Sequence, residues 1–242
     1  MSLIRRLPET VVNRIAAGEV IERPAAAVKE LVENSLDAGA SRIEVVVRDG
    51  GRTLISVSDN GRGMTAEELS LAVERHATSK LPDDNLKGIS SLGFRGEALP
   101  SIGAVSRLRI TSRPAAADSA WAIGVEGGRV AAPEPAAHPP GTRVEVRDLF
   151  FATPARLKFL KSVGSEFAHI VEVLQRLAMA HPAVAFTLSD GARMALNLPA
   201  LPGDLFAIRS ARLDAIMGRD FAANALAVNA ERDGVHLSGF IG

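Results

Sequence analysis

Pro24-Ala-Ala-Ala-Val-Lys-Glu-Leu-Val-Glu-Asn-Ser-Leu-Asp-Ala-Gly39 decides how the rest of the chain is read. Val28, Leu31, Val32 and Leu36 recur at helical spacing, Pro24 suits a first turn, and Gly39 can end the run, so a helix is expected over Pro24–Asp37. On that helix Glu30, Asn34 and Asp37 fall at i, i+4 and i+7, which lines two carboxylates and a carboxamide along one stripe beside the apolar face. A carboxylate can orient and deprotonate water. An amide oxygen is a hard ligand suited to magnesium, an ion that keeps most of its waters and its phosphate partners. The same stripe also fits an ordinary solvated helix face.

Two runs rich in β-branched residues, 42–48 and 53–59, flank Asp49-Gly50-Gly51 and read as a hairpin. Asp59-Asn60-Gly61-Arg62-Gly63 closes its second strand. Two glycines let backbone approach a ligand closely, and an aspartate at a strand end can accept a hydrogen bond from an exocyclic amine such as that of adenine. A plain turn fits these residues as well. Residues 65–75 read as a second helix, with Thr65 as N-cap and Glu67 and Glu68 in the first turn.

Residues 78–96 show no sustained period, only small polar residues, Pro82 and glycines, as in lids, binding loops or disordered segments. Gly93-Phe-Arg-Gly-Glu-Ala-Leu99 then enters a helix whose first turn accommodates Pro100. Free N–H groups at a helix start, approached through glycines, make a phosphate cradle, and Thr78-Ser79-Lys80 adds two hydroxyls and a cation. The chain has no G-x-x-x-x-G-K-[ST] run and no G-x-G-x-x-G after a strand, which argues against P-loop and Rossmann sites.

Strand-like runs return at 106–112, 121–126 and 142–147, the last entered through the Pro-rich stretch 131–141. Residues 167–180 have the length and spacing of a helix packed on one face, and 184–189 with 192–198 form a hairpin around Asp190-Gly191. Helices interleaved with hairpin-joined strands point to helices layered on one face of a mixed sheet. Leu198-Pro-Ala-Leu-Pro-Gly203 reads as a linker. The remainder, with a short helix over 211–217 and a hairpin turning at Asp233-Gly234, is too small to fold alone and is expected to open a second domain.

Composition narrows the function. Cysteine is absent, which excludes disulfide frameworks, thiolate nucleophiles and Cys-ligated zinc. Lys plus Arg equals Asp plus Glu at 28 each, so nucleic-acid contact must come from a local patch rather than from overall charge. Arg156, Lys158 and Lys161 form one short basic stripe, on what reads equally as a solvated helix face. The histidines at 138, 169, 181 and 236 show no metal-ligand spacing, and Trp121 and His76 read as structural. With no signal peptide and no apolar run long enough to span a membrane, a cytoplasmic location is expected.

The order of these motifs carries more than any one of them. A helix with Glu and Asn one turn apart, Asp-x-Gly-x-Gly after a strand, a glycine segment entering a helix, and Gly141-Thr142 opening a strand together resemble the GHKL ATPase superfamily of gyrase, Hsp90, histidine kinases and MutL. Within it, Ile15-Ala-Ala-Gly-Glu-Val20, Lys29-Glu-Leu-Val-Glu-Asn-Ser-Leu-Asp-Ala-Gly39, Arg75-His-Ala-Thr-Ser-Lys80, Gly93-Phe-Arg-Gly-Glu-Ala-Leu99 and Leu149-Phe-Phe-Ala-Thr-Pro-Ala-Arg156 look like MutL signatures.

The resemblance implies a Bergerat ATP-binding fold: an α/β two-layer sandwich with a mixed, largely antiparallel sheet over residues 1–203, followed from 204 to 242 by the start of a ribosomal S5-like second domain. It implies Glu30 as general base, Asn34 as magnesium ligand and Asp37 beside them in the ATP site. Asp59 would bind adenine with Thr142 nearby, and Gly61 and Gly63 would shape the floor. Thr78, Ser79, Lys80, Gly93, Phe94, Arg95 and Gly96 would belong to a lid over 78–96, and residues 1–20 to an arm that dimerises when ATP binds.

The implied function is DNA mismatch repair: slow hydrolysis of Mg-ATP, with an ATP-driven homodimer acting as a clamp between the recognition protein MutS and a downstream nuclease or helicase, and weak DNA contact. The family's γ-phosphate lysine is expected beyond Gly242, so nucleotide binding should survive better than hydrolysis; the family's C-terminal dimerisation region, with any endonuclease site there, is expected beyond it too. Two alternatives remain at this stage: another GHKL ATPase of the topoisomerase type, and a nucleotide-dependent scaffold without significant hydrolysis.

Overall fold

The computed structural model describes residues 6–75, 77, 91–93 and 96–242. Its first helices are α1 (Glu9–Val20) and α2 (Pro24–Asp37), followed by the hairpin of β1 (Arg42–Arg48) and β2 (Leu54–Asp59), then α3 (Ala66–Ala72) and α4 (Ala98–Val105). Next come β3 (Arg107–Arg113), β4 (Ala120–Glu126), β5 (Arg129–Val130), β6 (Glu134–Ala136) and β7 (Gly141–Arg147). A 3-10 turn over Pro154–Phe159 leads into α5 (Val163–Ala180), then β8 (Ala185–Ser189) and β9 (Met194–Leu198).

These strands form one nine-stranded sheet in the order β5-β4-β3-β7-β2-β1-β8-β9, with β6 pairing on β4. Only β1 and β8 run parallel, because α5 carries the chain across before β8 joins; the other pairs are antiparallel. Ile43, Val45, Val47, Ile55, Val57, Leu108, Ile110, Val144 and Val146 point inward and are buried. The alternate positions carry Glu44, Arg107, Arg109, Arg143, Glu145 and Arg147, so the helices cover one face only. Full burial of a Val or Ile side chain is worth about 1.5–3 kcal/mol. An exposed pair such as Arg107 with Glu126, at 2.9 Å, is worth about 1 kcal/mol at most, so the inner face sets the register.

α2 buries Ala25, Ala27, Val28, Leu31, Val32 and Ser35 and packs on α5, whose Ile170, Leu174 and Ala178 are buried in turn. Gly39, at φ 73°, follows the last turn of α2. The helix expected over 65–75 stops at Ala72, where Val73 turns into the core. Thr65 starts it with a full capping box: its side chain accepts from Glu68 N, and Glu68 accepts from Thr65 N. Residues 9–20, read from sequence as an arm, are helical and pack on α4 with Ala17 and Ile21 buried. Arg156 lies against this helix, donating from Nη1 to Ile21 O at 3.4 Å, so it does not simply line the basic stripe with Lys158 and Lys161.

Beyond β9, α6 (Leu205–Met217) starts earlier than expected because Asp204 caps it, accepting from Phe206 N and Ala207 N at 3.0 and 3.1 Å. Arg212 of α6 is buried and donates from Nη2 to the carbonyls of Pro182, Val184 and Pro199 at 2.8, 3.0 and 2.7 Å. After α7 (Arg219–Asn224), β10 (Leu226–Arg232) and β11 (Val235–Ile241) pair in a sheet of their own, turning at Asp233-Gly234. No described helix is long and apolar enough to cross a membrane.

Candidate functional site

The end of β2 and the last turn of α2 meet at Asp59. Its Oδ1 accepts from Gly61 N at 2.8 Å and its Oδ2 from the Ser35 hydroxyl at 2.8 Å, which ties the strand end to the helix. Burial raises the Asp59 carboxyl above its ordinary value, opposed by the bonds from Gly61, Ser35 and Thr142. A partly buried acceptor held this way is positioned before any ligand arrives. Its neighbour Asn60 anchors the turn after α2, accepting at Oδ1 from Ser41 N at 3.0 Å and Arg42 N at 2.9 Å.

Pairing places Asp59 opposite Thr142 of β7, and Thr142 opposite Ser112 of β3. The two hydroxyls are 2.8 Å apart, and Ser112 Oγ also accepts from Met64 N at 2.8 Å. One row of inward positions thus carries Asp59, Thr142 and Ser112 across three strands. Gly63 runs beside it at φ 70°, and a Cβ there would lie 2.2 Å from Arg113 O, so only glycine fits. Gly61 is less tightly packed against the end of α2, where a Cβ would lie 2.9 Å from Ala38 O.

Glu30, Asn34 and Asp37 occupy one partly exposed stripe of α2, as their spacing requires. The Glu30 side chain is 32% exposed, with Lys29 Nζ 3.7 Å from its Oε1, so water can reach the carboxylate. Asp37 accepts from Leu92 N at 3.0 Å and from Gly93 N at 3.3 Å. Gly96 precedes α4, whose third residue is Pro100. Of the expected site residues, Thr78, Ser79, Lys80, Phe94 and Arg95 lie outside the described residues, as does His76.

Two polar residues of this constellation, Ser35 and Ser112, are given no role by the sequence motifs. Ser35 continues the buried spacing of Val28, Leu31 and Val32, and Ser112 continues the inward alternation of Leu108 and Ile110. A polar residue at a core position is itself a signal, since burial without a hydrogen-bond partner costs about 1–3 kcal/mol. Among the described residues no group of three His, Cys, Asp or Glu is placed to hold a metal.

A helix carrying a carboxylate and a carboxamide, joined through Ser35 to an aspartate at a strand end, fits the arrangement that the resemblance to the GHKL ATPases leads one to expect. A family model described as Histidine kinase-, DNA gyrase B-, and HSP90-like ATPase matches residues 21–128. The DNA mismatch repair protein MutL of Rhodospirillum rubrum is 66% identical over 236 residues, covering 98% of this chain and 38% of that protein. The MutL of Paramagnetospirillum magneticum is 64% identical over 239 residues, 99% of this chain and 39% of its own length. Among solved structures, the Aquifex aeolicus MutL ATPase domain complexed with ADP is similar at TM-score 0.70 and 33% identity, covering 92% of this chain and 78% of that one.

The chain belongs to the MutL family. It spans about two fifths of the length of the curated relatives it matches.

Proposed function

We propose that this chain binds Mg-ATP between α2, the end of β2 and the segment leading into α4, and hydrolyses it slowly to ADP and phosphate. The observation that carries this reading is the Ser35–Asp59 bond, because it joins the adenine-reading carboxylate to the helix that bears Glu30 and Asn34. Asp59 accepts from the exocyclic amine of adenine, beside Thr142, with Gly61 and Gly63 as the floor. Glu30 orients a water and takes its proton as the water oxygen attacks the γ-phosphorus; the bond from that phosphorus to the ADP oxygen breaks, and Glu30 returns the proton to solvent. Thr78, Ser79, Lys80, Gly93, Phe94, Arg95 and Gly96 cover the phosphates in this reading.

Magnesium fits the donor chemistry: the Asn34 amide oxygen would be its protein ligand, as suits an ion that otherwise favours phosphate oxygens and water. When bound it offsets phosphate charge.

At the level of the whole protein, the reading is a mismatch-repair clamp. Residues 1–203 bind nucleotide, 204–242 open a second domain, and residues 1–20 contribute to an ATP-dependent homodimer. The clamp links the mismatch-recognition protein MutS to a downstream nuclease or helicase, touches DNA weakly and works in the cytoplasm. The relatives' identity as mismatch-repair proteins supports this output. Titration calorimetry with magnesium and a non-hydrolysable ATP analogue, paired with sedimentation, tests it. Saturable binding with a shift in mass to the dimer is expected. No binding by a folded sample would refute the nucleotide site, and binding without a mass shift would refute dimerisation by this chain.

A further inference from the structure

Asp37 is the last residue of α2, where the helix dipole disfavours a carboxylate. Its two oxygens nevertheless face the backbone of a segment 55 residues further on: Oδ1 accepts from Leu92 N at 3.0 Å and Oδ2 from Gly93 N at 3.3 Å. Ser91 closes the same stretch, donating from its hydroxyl to Gly93 O at 2.7 Å. Three residues later Gly96, at φ 60°, lies so close to Ala77 that a Cβ would be 2.3 Å from Ala77 O. Leu92 and Gly93 are thus tied to the end of α2 by Asp37, and Gly96 lies close against Ala77. Asp37 belongs to the same helix stripe as Glu30 and Asn34, one turn from Asn34 and two from Glu30.

We propose that Asp37 is a positioning residue: it acts on the nucleotide through Leu92 and Gly93, setting the chain that enters α4 at a fixed distance from Glu30 and Asn34. This rests on the reading of the cleft as an ATP site. A carboxylate is required because both acceptors must face N–H donors at once. Asparagine supplies one oxygen, and its NH2 would turn a donor toward a donor. Only the phosphate end of the nucleotide should feel the loss, since Asp59 and Thr142 are held by the sheet.

The test compares wild type with Asp37→Asn and Asp37→Ala, titrated with a non-hydrolysable ATP analogue, ADP and adenosine, each with and without magnesium. The loss of one or two hydrogen bonds from a charged acceptor is expected to weaken the ATP analogue roughly tenfold in Asp37→Asn and more in Asp37→Ala. Adenosine should be unchanged, and the loss should be the same with and without magnesium. Hydrogen exchange at Leu92 and Gly93 should speed up while the amides of α2 keep their protection.

A loss seen only with magnesium would make Asp37 a metal ligand and overturn the proposal. An equal loss for adenosine would make its role structural, with the same consequence, and unchanged binding of the ATP analogue in both variants would also refute it. Failure of the wild type to bind any nucleotide would instead refute the ATP reading itself.

Discussion

Asp59, Thr142 and Ser112 occupy one row of paired strand positions, whereas Leu92 and Gly93 meet α2 through hydrogen bonds to Asp37, and Gly96 lies close against Ala77. A row of that kind moves only if the sheet does, because each member is fixed by backbone pairing on both sides. Backbone held through hydrogen bonds to a side-chain carboxylate can shift at the cost of those bonds. In the proposed function the first arrangement suits the base, which is the same before and after hydrolysis. The second suits the phosphates, whose number changes.

The largest effect expected from separating the two regions is on chemistry. Glu30→Gln should slow phosphate release roughly 100- to 10,000-fold, the usual contribution of a general base, and leave affinity for a non-hydrolysable ATP analogue within about threefold. An unchanged release rate would remove Glu30 from the mechanism. On the adenine side, Gly63→Ala forces a Cβ toward Arg113 O at a left-handed φ, and chemical denaturation should record a loss of about 1–3 kcal/mol. Ser112→Ala should cost about 1–2 kcal/mol by leaving Met64 N and the Thr142 hydroxyl short of a partner. If its stability is unchanged, the row is not a unit.

The smallest effect is expected from pH, because the burial that raises the Asp59 carboxyl is opposed by three hydrogen bonds. With its folded value above the unfolded one, Asp59 favours folding at low pH, where it is protonated, and that contribution is lost as pH rises through the raised value. Adenine binding runs the other way, since it needs the carboxylate, and should weaken as pH falls through the same value. Asp59→Asn should abolish both trends in a pH series of denaturation and calorimetry.

Much of the first arrangement was legible in the sequence. α2 has the bounds its apolar spacing predicts, and β1, β2 and their Asp49-Gly50-Gly51 turn follow β-branched runs that pack a single inner face. The expected mixed, largely antiparallel sheet has its parallel pair at β1 and β8. Local pattern does not state which distant strands pair, so in the Asp59–Thr142–Ser112 row only the nearness of Thr142 to Asp59 was foreseen, through the family resemblance, and the insertion of β7 beside β3 that brings in Ser112 was not. The helicity of residues 9–20 was missed because Asn13 and Gly18 are weak helix formers and packing on α4 overrides them. Arg156 reads from sequence as part of a basic stripe, either solvated or phosphate-facing, because nothing in its own neighbourhood shows that it reaches Ile21.

The central claim, that Asp59 reads the exocyclic amine of adenine, is tested most directly by exchanging that amine for a carbonyl. Calorimetry should compare a non-hydrolysable ATP analogue with its inosine counterpart, in wild type and in Asp59→Asn. A hydrogen bond to a charged group is worth about 1.5–3 kcal/mol, so wild type should prefer the adenine form roughly ten- to a hundredfold. Asp59→Asn, whose amide can donate to the inosine carbonyl, should lose or invert that preference. Equal affinity of the wild type for the two nucleotides would contradict the account.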